Sequence, residues 1–348
     1  MPDSFCVETM RERVAERTSL VRDVVVRMHG ETAWAECTGT LARRSGKTAN
    51  HRKREVADRV DDELIAAFNR LIPLLSRNAA WRMLFESVAD CDDPLALAIL
   101  GEAQAAALRA DPGRFEDGPF APMLRAFLAV RSRLAEDALA EAIAAGVRQY
   151  VVLGAGLDTF AYRNPYPTLR VFEMDHPATQ AWKRGRLAEA HVDVPAGVTF
   201  AAIDFATEAL PGVLRAAGLR GEEPSFFSCL GVTPYLEPPT VLATLAAIAP
   251  FAANGGGVVF DYSVPAESLA PRPRAAFEAM AARAAAAGEP FRGFFEPETL
   301  SAAMQALGFH GIRDLGPDQL NARFFSERAD GLRVGSAGHI LTARGRGR

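Results

Sequence analysis

With 348 residues, 49% of them hydrophobic and 24% charged, the chain can bury a large core and lies far from the composition of disordered segments. Its formal net charge of −4 provides no general basic face for a phosphate backbone, which argues against nucleic acid and for a small-molecule or protein substrate. The four cysteines, Cys6, Cys37, Cys91 and Cys229, form no CxxC pair and have no close histidine spacing, so neither a disulfide framework nor a metal site is expected.

The first residues carry charges where a signal peptide needs an apolar core. No later stretch reaches the roughly 18 apolar residues of a membrane span, so a soluble, cytoplasmic protein is expected. Residues 1–57 hold 11 Lys/Arg against 8 Asp/Glu. Val14, Val21, Val25 and Met28 have helical spacing, but the polar stretch that follows shows no sustained period. Its basic run from Arg43 to Arg54 lacks interleaved aromatics, so it reads as a solvated linker, and residues 1–57 as a poorly defined extension.

A folded domain over residues 58–348 is expected to begin with a helix that buries Val60, Leu64, Phe68, Leu71 and Leu75, with Pro73 near its end. Residues 55–77 distantly resemble the opening helix of some N-acetyltransferases, but no acetyl-CoA loop accompanies it. A second helix is predicted over 123–145, with Leu124, Phe127, Leu128, Leu134, Ala138, Leu139 and Ile143 on one face and Gly146 as its C-cap. Strand-like and helix-like segments then alternate: QYVVLGAG, LRVFEMD, VTFAAID, PSFFSCLG and GGGVVFDYS. Apolar runs without strict alternation, separated by helical stretches, predict a doubly wound, mostly parallel α/β sheet of Rossmann type. FHGIRDLG and AGHILTAR complete seven strands, after a helix starting near Pro297.

Gly154-Ala155-Gly156 follows the first strand directly, where a side chain would block a ligand approaching the backbone. The third glycine of GxGxxG is absent, because Thr159 stands there, so the fingerprint of nicotinamide enzymes is incomplete. Asp175 ends the second strand 21 positions after Gly154, where a carboxylate can accept from ribose hydroxyls; Glu173 competes for that role. Asp204 ends the third strand, and in an adenosine site it could accept from the adenine amino group while Phe205 lends apolar surface or its backbone N–H. For both aspartates the simpler alternative is capping of the next helix.

These strings, VVLGAGLDTFAYR, VFEMDHPATQAWKR and AIDF, resemble the leucine carboxyl methyltransferase family, especially its bacterial branch associated with polyketide O-methylation. The resemblance spans roughly residues 77–348. It implies S-adenosyl-L-methionine as cofactor, with Gly154, Ala155 and Gly156 beside the methionine moiety, Asp175 on the ribose, and Asp204 with Phe205 at the adenine. It also implies that Arg131 pairs with the cofactor carboxylate, Arg133 being its rival. The glutamate that many relatives carry before the Tyr-Leu pair is replaced by Leu230.

The expected activity is methyl transfer to a carboxylate or hydroxyl oxygen of a small-molecule, polyketide-like acceptor. A sulfonium methyl is already electrophilic, so placement and exclusion of water suffice, and no catalytic residue is assigned. His176 is read as positioning the loop after the second strand. Tyr235, Asp261, Tyr262 and Arg323 fall near strand ends or in late loops and stay unassigned. The rivals are a nicotinamide-dependent oxidoreductase, which should show a Tyr-xxx-Lys proton donor, and a cofactor-binding protein without turnover.

Overall fold

The computed structural model describes residues 93–111, 121–205, 208–286 and 290–347. The extension at 1–57 and the helix expected around Val60 to Leu75 lie outside the described residues. In chain order the first elements are α1 (Ala96–Leu100), α2 (Glu102–Ala110), α3 (Ala121–Ala144), β1 (Gln149–Leu153), α4 (Phe160–Arg163), β2 (Arg170–Asp175) and α5 (Pro177–Glu189). Next come β3 (Val198–Ala202), α6 (Leu210–Ala216), β4 (Ser225–Cys229), α7 (Pro238–Ala252), β5 (Gly257–Ser263) and α8 (Pro271–Ala286). The described chain ends with α9 (Pro297–Ala306), β6 (His310–Leu315), α10 (Pro317–Phe324) and β7 (Gly338–Arg344).

The strands form one seven-stranded sheet in the order β3-β2-β1-β4-β5-β7-β6. β1 to β5 run parallel, and β7 is antiparallel to both its neighbours. This is the expected doubly wound architecture, and all seven strands fall within the segments read from the sequence. Their apolar runs follow from burial: every residue of β1 and β4 is buried, because helices cover both faces. Edge strand β6 has no fully buried residue.

On one face α3 packs Leu128, Leu134 and Leu139 against Tyr150, Val152, Phe226, Val259 and Ile340. On the other, α7 and α9 bring Val241, Leu245, Ile248, Leu300 and Met304 against Val151, Leu153, Phe227 and Phe260. α3 starts two residues earlier than predicted and closes at Gly146 (φ 107°), where the Val147 N–H donates to the Ala142 carbonyl at 3.0 Å. Leu124, expected on the buried face, is 37% exposed. Its neighbour Met123 lies beside Gly335, ahead of β7.

The chain order reverses at β1, whose neighbours are β2 and β4. In open α/β sheets the crevice beyond the carboxyl ends of strands at such a switch point receives ligands. The Gly154 loop, Asp175 and the turn after β4 all lie at that edge.

Candidate functional site

The loop after β1 is held by β2: the Gly154 and Ala155 N–H groups both donate to the Met174 carbonyl, at 2.8 and 3.1 Å. Gly154 adopts φ 70°, and a Cβ there would stand 2.3 Å from Val232 Cγ2 in the turn after β4. Glycine is therefore required twice over, by the left-handed backbone and by the contact between the two loops that flank the switch point. Thr159, in the place of the third glycine, is buried, and its hydroxyl donates to Asp93 Oδ2 at 2.5 Å. The departure from GxGxxG thus serves to tie the loop to the segment preceding α1.

Asp175 occupies the carboxyl end of β2. Its Oδ2 accepts from the Gly156 N–H at 2.6 Å and its Oδ1 from the His176 N–H at 2.7 Å. Burial raises its pKa, opposed by those two N–H groups and the nearby Lys183 and His176. Each carboxylate oxygen retains a lone pair for a further donor. His176 is the N-cap of α5, its Nδ1 accepting from the Ala178 N–H at 3.3 Å, which suits the positioning role read from the sequence.

Glu173 takes no such position. It is buried beneath α4 and α5, where Lys183 Nζ stands 2.8 Å from Oε2, poorly aligned for a hydrogen bond, and the Tyr162 hydroxyl donates to the same oxygen at 2.8 Å. Burial raises its pKa, with Lys183 acting against the rise. Lys183 was missed by the sequence reading although a signal existed: it lies one helical turn before the buried Leu187, on the apolar face of α5.

Asp204 lies two residues beyond the end of β3, which stops at Ala202 rather than at Asp204 as expected. The strand stops because Glu208 folds back, its Oε2 accepting from the Asp204 N–H at 2.8 Å while the Glu208 N–H donates to the Asp204 carbonyl at 2.9 Å. Phe205 is partly buried against the core on the α7 side. The Ile203 N–H donates to the Asp175 carbonyl at 2.9 Å, so the ends of β2 and β3 remain joined.

Arg131 reaches from α3 to β5, where its Nη1 donates to Asp261 Oδ2 at 3.0 Å. Asp261 Oδ1 accepts from the Gly231 N–H at 2.5 Å. Arg133 instead pairs with Asp137 on the same helix at 2.8 Å, and Arg323 stands 3.5 Å from that aspartate. Leu230, in the place of the family glutamate, packs against the core on the α3 side. Cys229 is buried, which pushes its thiol up to about 12 and keeps it protonated at neutral pH. Tyr235 is 41% exposed, its ring 5.6 Å from that of Phe291. Tyr262 points to the opposite side of β5 from Asp261 and donates to Asp314 Oδ2 at 2.5 Å. Burial and that carboxylate raise its pKa.

The leucine carboxyl methyltransferase family pattern matches residues 76–249, half of the chain. The chain is also 33% identical over 215 residues to YktD of Bacillus subtilis, named as a candidate S-adenosyl-L-methionine-dependent methyltransferase; the match covers 61% of this chain and 70% of that protein. The chain belongs to the leucine carboxyl methyltransferase family. A Mycobacterium sp. (strain JLS) protein with the same named activity is 34% identical over 183 residues, 50% of this chain and 68% of its own. A candidate methyltransferase of solved structure from Thermobifida fusca YX has 19% identity and a TM-score of 0.47, over 72% of this chain and 92% of that one. The family rests on the sequence matches. The protein is an S-adenosyl-L-methionine-dependent methyltransferase with a mostly parallel, Rossmann-like seven-stranded sheet. No helix among the described residues is long and apolar enough to cross a membrane.

Proposed function

We propose that residues 58–348 form the methyltransferase domain and that it methylates an oxygen, carboxylate or hydroxyl, of a small-molecule acceptor. The observation that carries this reading is the Asp175 turn. A carboxylate at the end of β2, steadied by the Gly156 and His176 N–H groups, lies beside a glycine loop at the sheet edge where such folds receive ligands. In this reading Gly154, Ala155 and Gly156 line the methionine moiety, and Asp175 accepts from the ribose hydroxyls. Asp204 and Phe205 flank the adenine, and Arg131 meets the cofactor carboxylate. The residues suit such a group: among the described residues a Cβ on Gly156 would meet no atom closer than the Gly154 carbonyl at 4.0 Å, so the backbone there admits close approach.

When bound, the cofactor supplies a methyl group on a sulfonium, an electrophile that needs no further activation. The work left to the chain is to orient that methyl, align the acceptor oxygen with it and exclude water. A carboxylate acceptor is ionised at neutral pH and requires no base, in keeping with the carboxyl methylation after which the family is named. A phenol, with a pKa near ~10, would gain from a base.

The test is calorimetric titration of S-adenosyl-L-methionine and, separately, NADH into the wild type and Asp175→Ala. Saturable binding of S-adenosyl-L-methionine alone, lost in the variant, is expected. Equal binding by the variant would overturn the Asp175 assignment. Methyl-labelled cofactor offered with carboxylic acids, phenols and amines then reads the acceptor atom, and label transferred only to amines would overturn the oxygen assignment.

A further inference from the structure

We propose that Asp261 and Gly231 are positioning residues, which together hold the Arg131 guanidinium where it can receive the cofactor carboxylate; this rests on the role assigned to Arg131 above. Asp261 belongs to the last of the consecutive parallel strands, and its side chain is only 4% exposed. A carboxylate at that depth is costly unless it is paired and hydrogen-bonded. Both of its oxygens are engaged, Oδ2 by Arg131 at 3.0 Å and Oδ1 by the Gly231 N–H at 2.5 Å. Its main-chain carbonyl accepts from the Thr233 hydroxyl as well. One residue of β5 therefore grips the turn after β4 at two points and α3 at a third.

Gly231 leaves Arg131 room that no other residue would. Its φ is 70°, and a Cβ built on it would fall 2.8 Å from Arg131 Nη1 and 2.9 Å from Nη2. Any side chain there would push the guanidinium from its seat, while also straining the backbone. Arg131 is thus confined between a carboxylate and a bare backbone.

Asp261 takes up only part of the hydrogen-bonding capacity of the guanidinium. The group carries five N–H donors in a rigid fork. Among the described residues Asp261 is its one hydrogen-bond partner, and its side chain is 15% exposed. Donors that no described residue takes up can serve a second carboxylate. Much of the rotamer freedom that a long side chain loses on binding is already lost in this arrangement, so less is surrendered when the ligand arrives. The Asp261 charge partly offsets that of Arg131, which makes the arrangement one that fixes direction more than one that concentrates charge.

The experiment compares two ligands on the full-length chain by calorimetry. S-adenosylhomocysteine carries the amino-acid carboxylate; 5′-methylthioadenosine has the same nucleoside and sulfur without it. The variants are Arg131→Ala, Asp261→Asn, their combination, and Gly231→Ala. Asparagine keeps an acceptor for the Gly231 N–H but turns a donor toward Arg131. Arg131→Ala and Asp261→Asn are each expected to weaken S-adenosylhomocysteine roughly tenfold or more, with 5′-methylthioadenosine changing by less than about twofold. The combined variant should bind no worse than Arg131→Ala alone. Gly231→Ala, which displaces the guanidinium from the other side, should show the same selectivity. If Arg131→Ala discriminates between the ligands while Asp261→Asn weakens both alike or neither, the positioning role is overturned and the Arg131 assignment stands. If Arg131→Ala itself does not discriminate, both fall.

Discussion

Replacing Lys183 by methionine tests the buried pair beneath the cofactor edge. Lys183 and Glu173 are each 2% exposed, and both Lys183 Nζ and the Tyr162 hydroxyl converge on Glu173 Oε2, while Oε1 has no hydrogen-bond partner among the described residues. Removing the cation leaves a fully buried carboxylate with a single donor. Breaking such a pair costs about 3–5 kcal/mol, which at roughly 2–4 °C per kcal/mol lowers the melting temperature by about 10 °C. Burial already raises the Glu173 pKa, and losing Lys183 raises it further. A carboxyl whose folded pKa lies above its unfolded value contributes most below the unfolded pKa, and that stability is lost as pH rises through the folded one. The variant should therefore be markedly more stable near pH 5 than near pH 8, relative to wild type. Combining Lys183→Met with Glu173→Gln keeps an acceptor for Tyr162 and removes the stranded charge, so it should recover about half or more of the loss. Urea titrations at several pH values, followed by circular dichroism, measure all three proteins. A single variant that loses less than about 1 kcal/mol without an added pH slope would refute the reasoning, as would a double variant less stable than the single one.

Two further predictions concern the cofactor loop. Gly154→Ala should cost about 1–3 kcal/mol, measured by the same titrations, because it places a Cβ 2.3 Å from Val232 Cγ2 at φ 70°. Adding Val232→Ala removes the clashing methyl and should restore part of that loss, leaving the backbone strain of about 1 kcal/mol. Cofactor affinity should fall on acidification with an inflection above the ordinary aspartate value of about 4, because burial raises Asp175 and its ionised form is the better acceptor for ribose hydroxyls. The Gly156 and His176 N–H groups and the nearby Lys183 lower that inflection without cancelling the effect of burial. Calorimetry across pH 4–8 reads the inflection, and a pH-independent affinity would contradict the Asp175 assignment.

Much of the architecture was legible because it depends on neighbours in the chain. Val151 to Leu153 and Phe226 to Cys229 read as strands because burial on both faces demands unbroken apolar runs. The same pattern placed Gly154 and Asp175 at strand ends on one edge. Less legible was where β3 would stop, since that depends on Glu208 returning its carboxylate to the Asp204 N–H. Lys183 was overlooked because a charge on an apolar helix face has meaning only when its partner is known, and Glu173 belongs to the preceding strand.

By itself the sequence determined the doubly wound sheet, the glycine loop and the carboxylate closing β2, because periodicity and turn chemistry act over a few residues. Only the tertiary structure decided that Arg131, not Arg133, reaches Asp261, 130 residues further along the chain. It also decided that Gly154 must make room for Val232, and that Thr159 serves Asp93. Those pairings depend on which strands become neighbours, and a local pattern of apolar and polar residues specifies the strands without specifying their order.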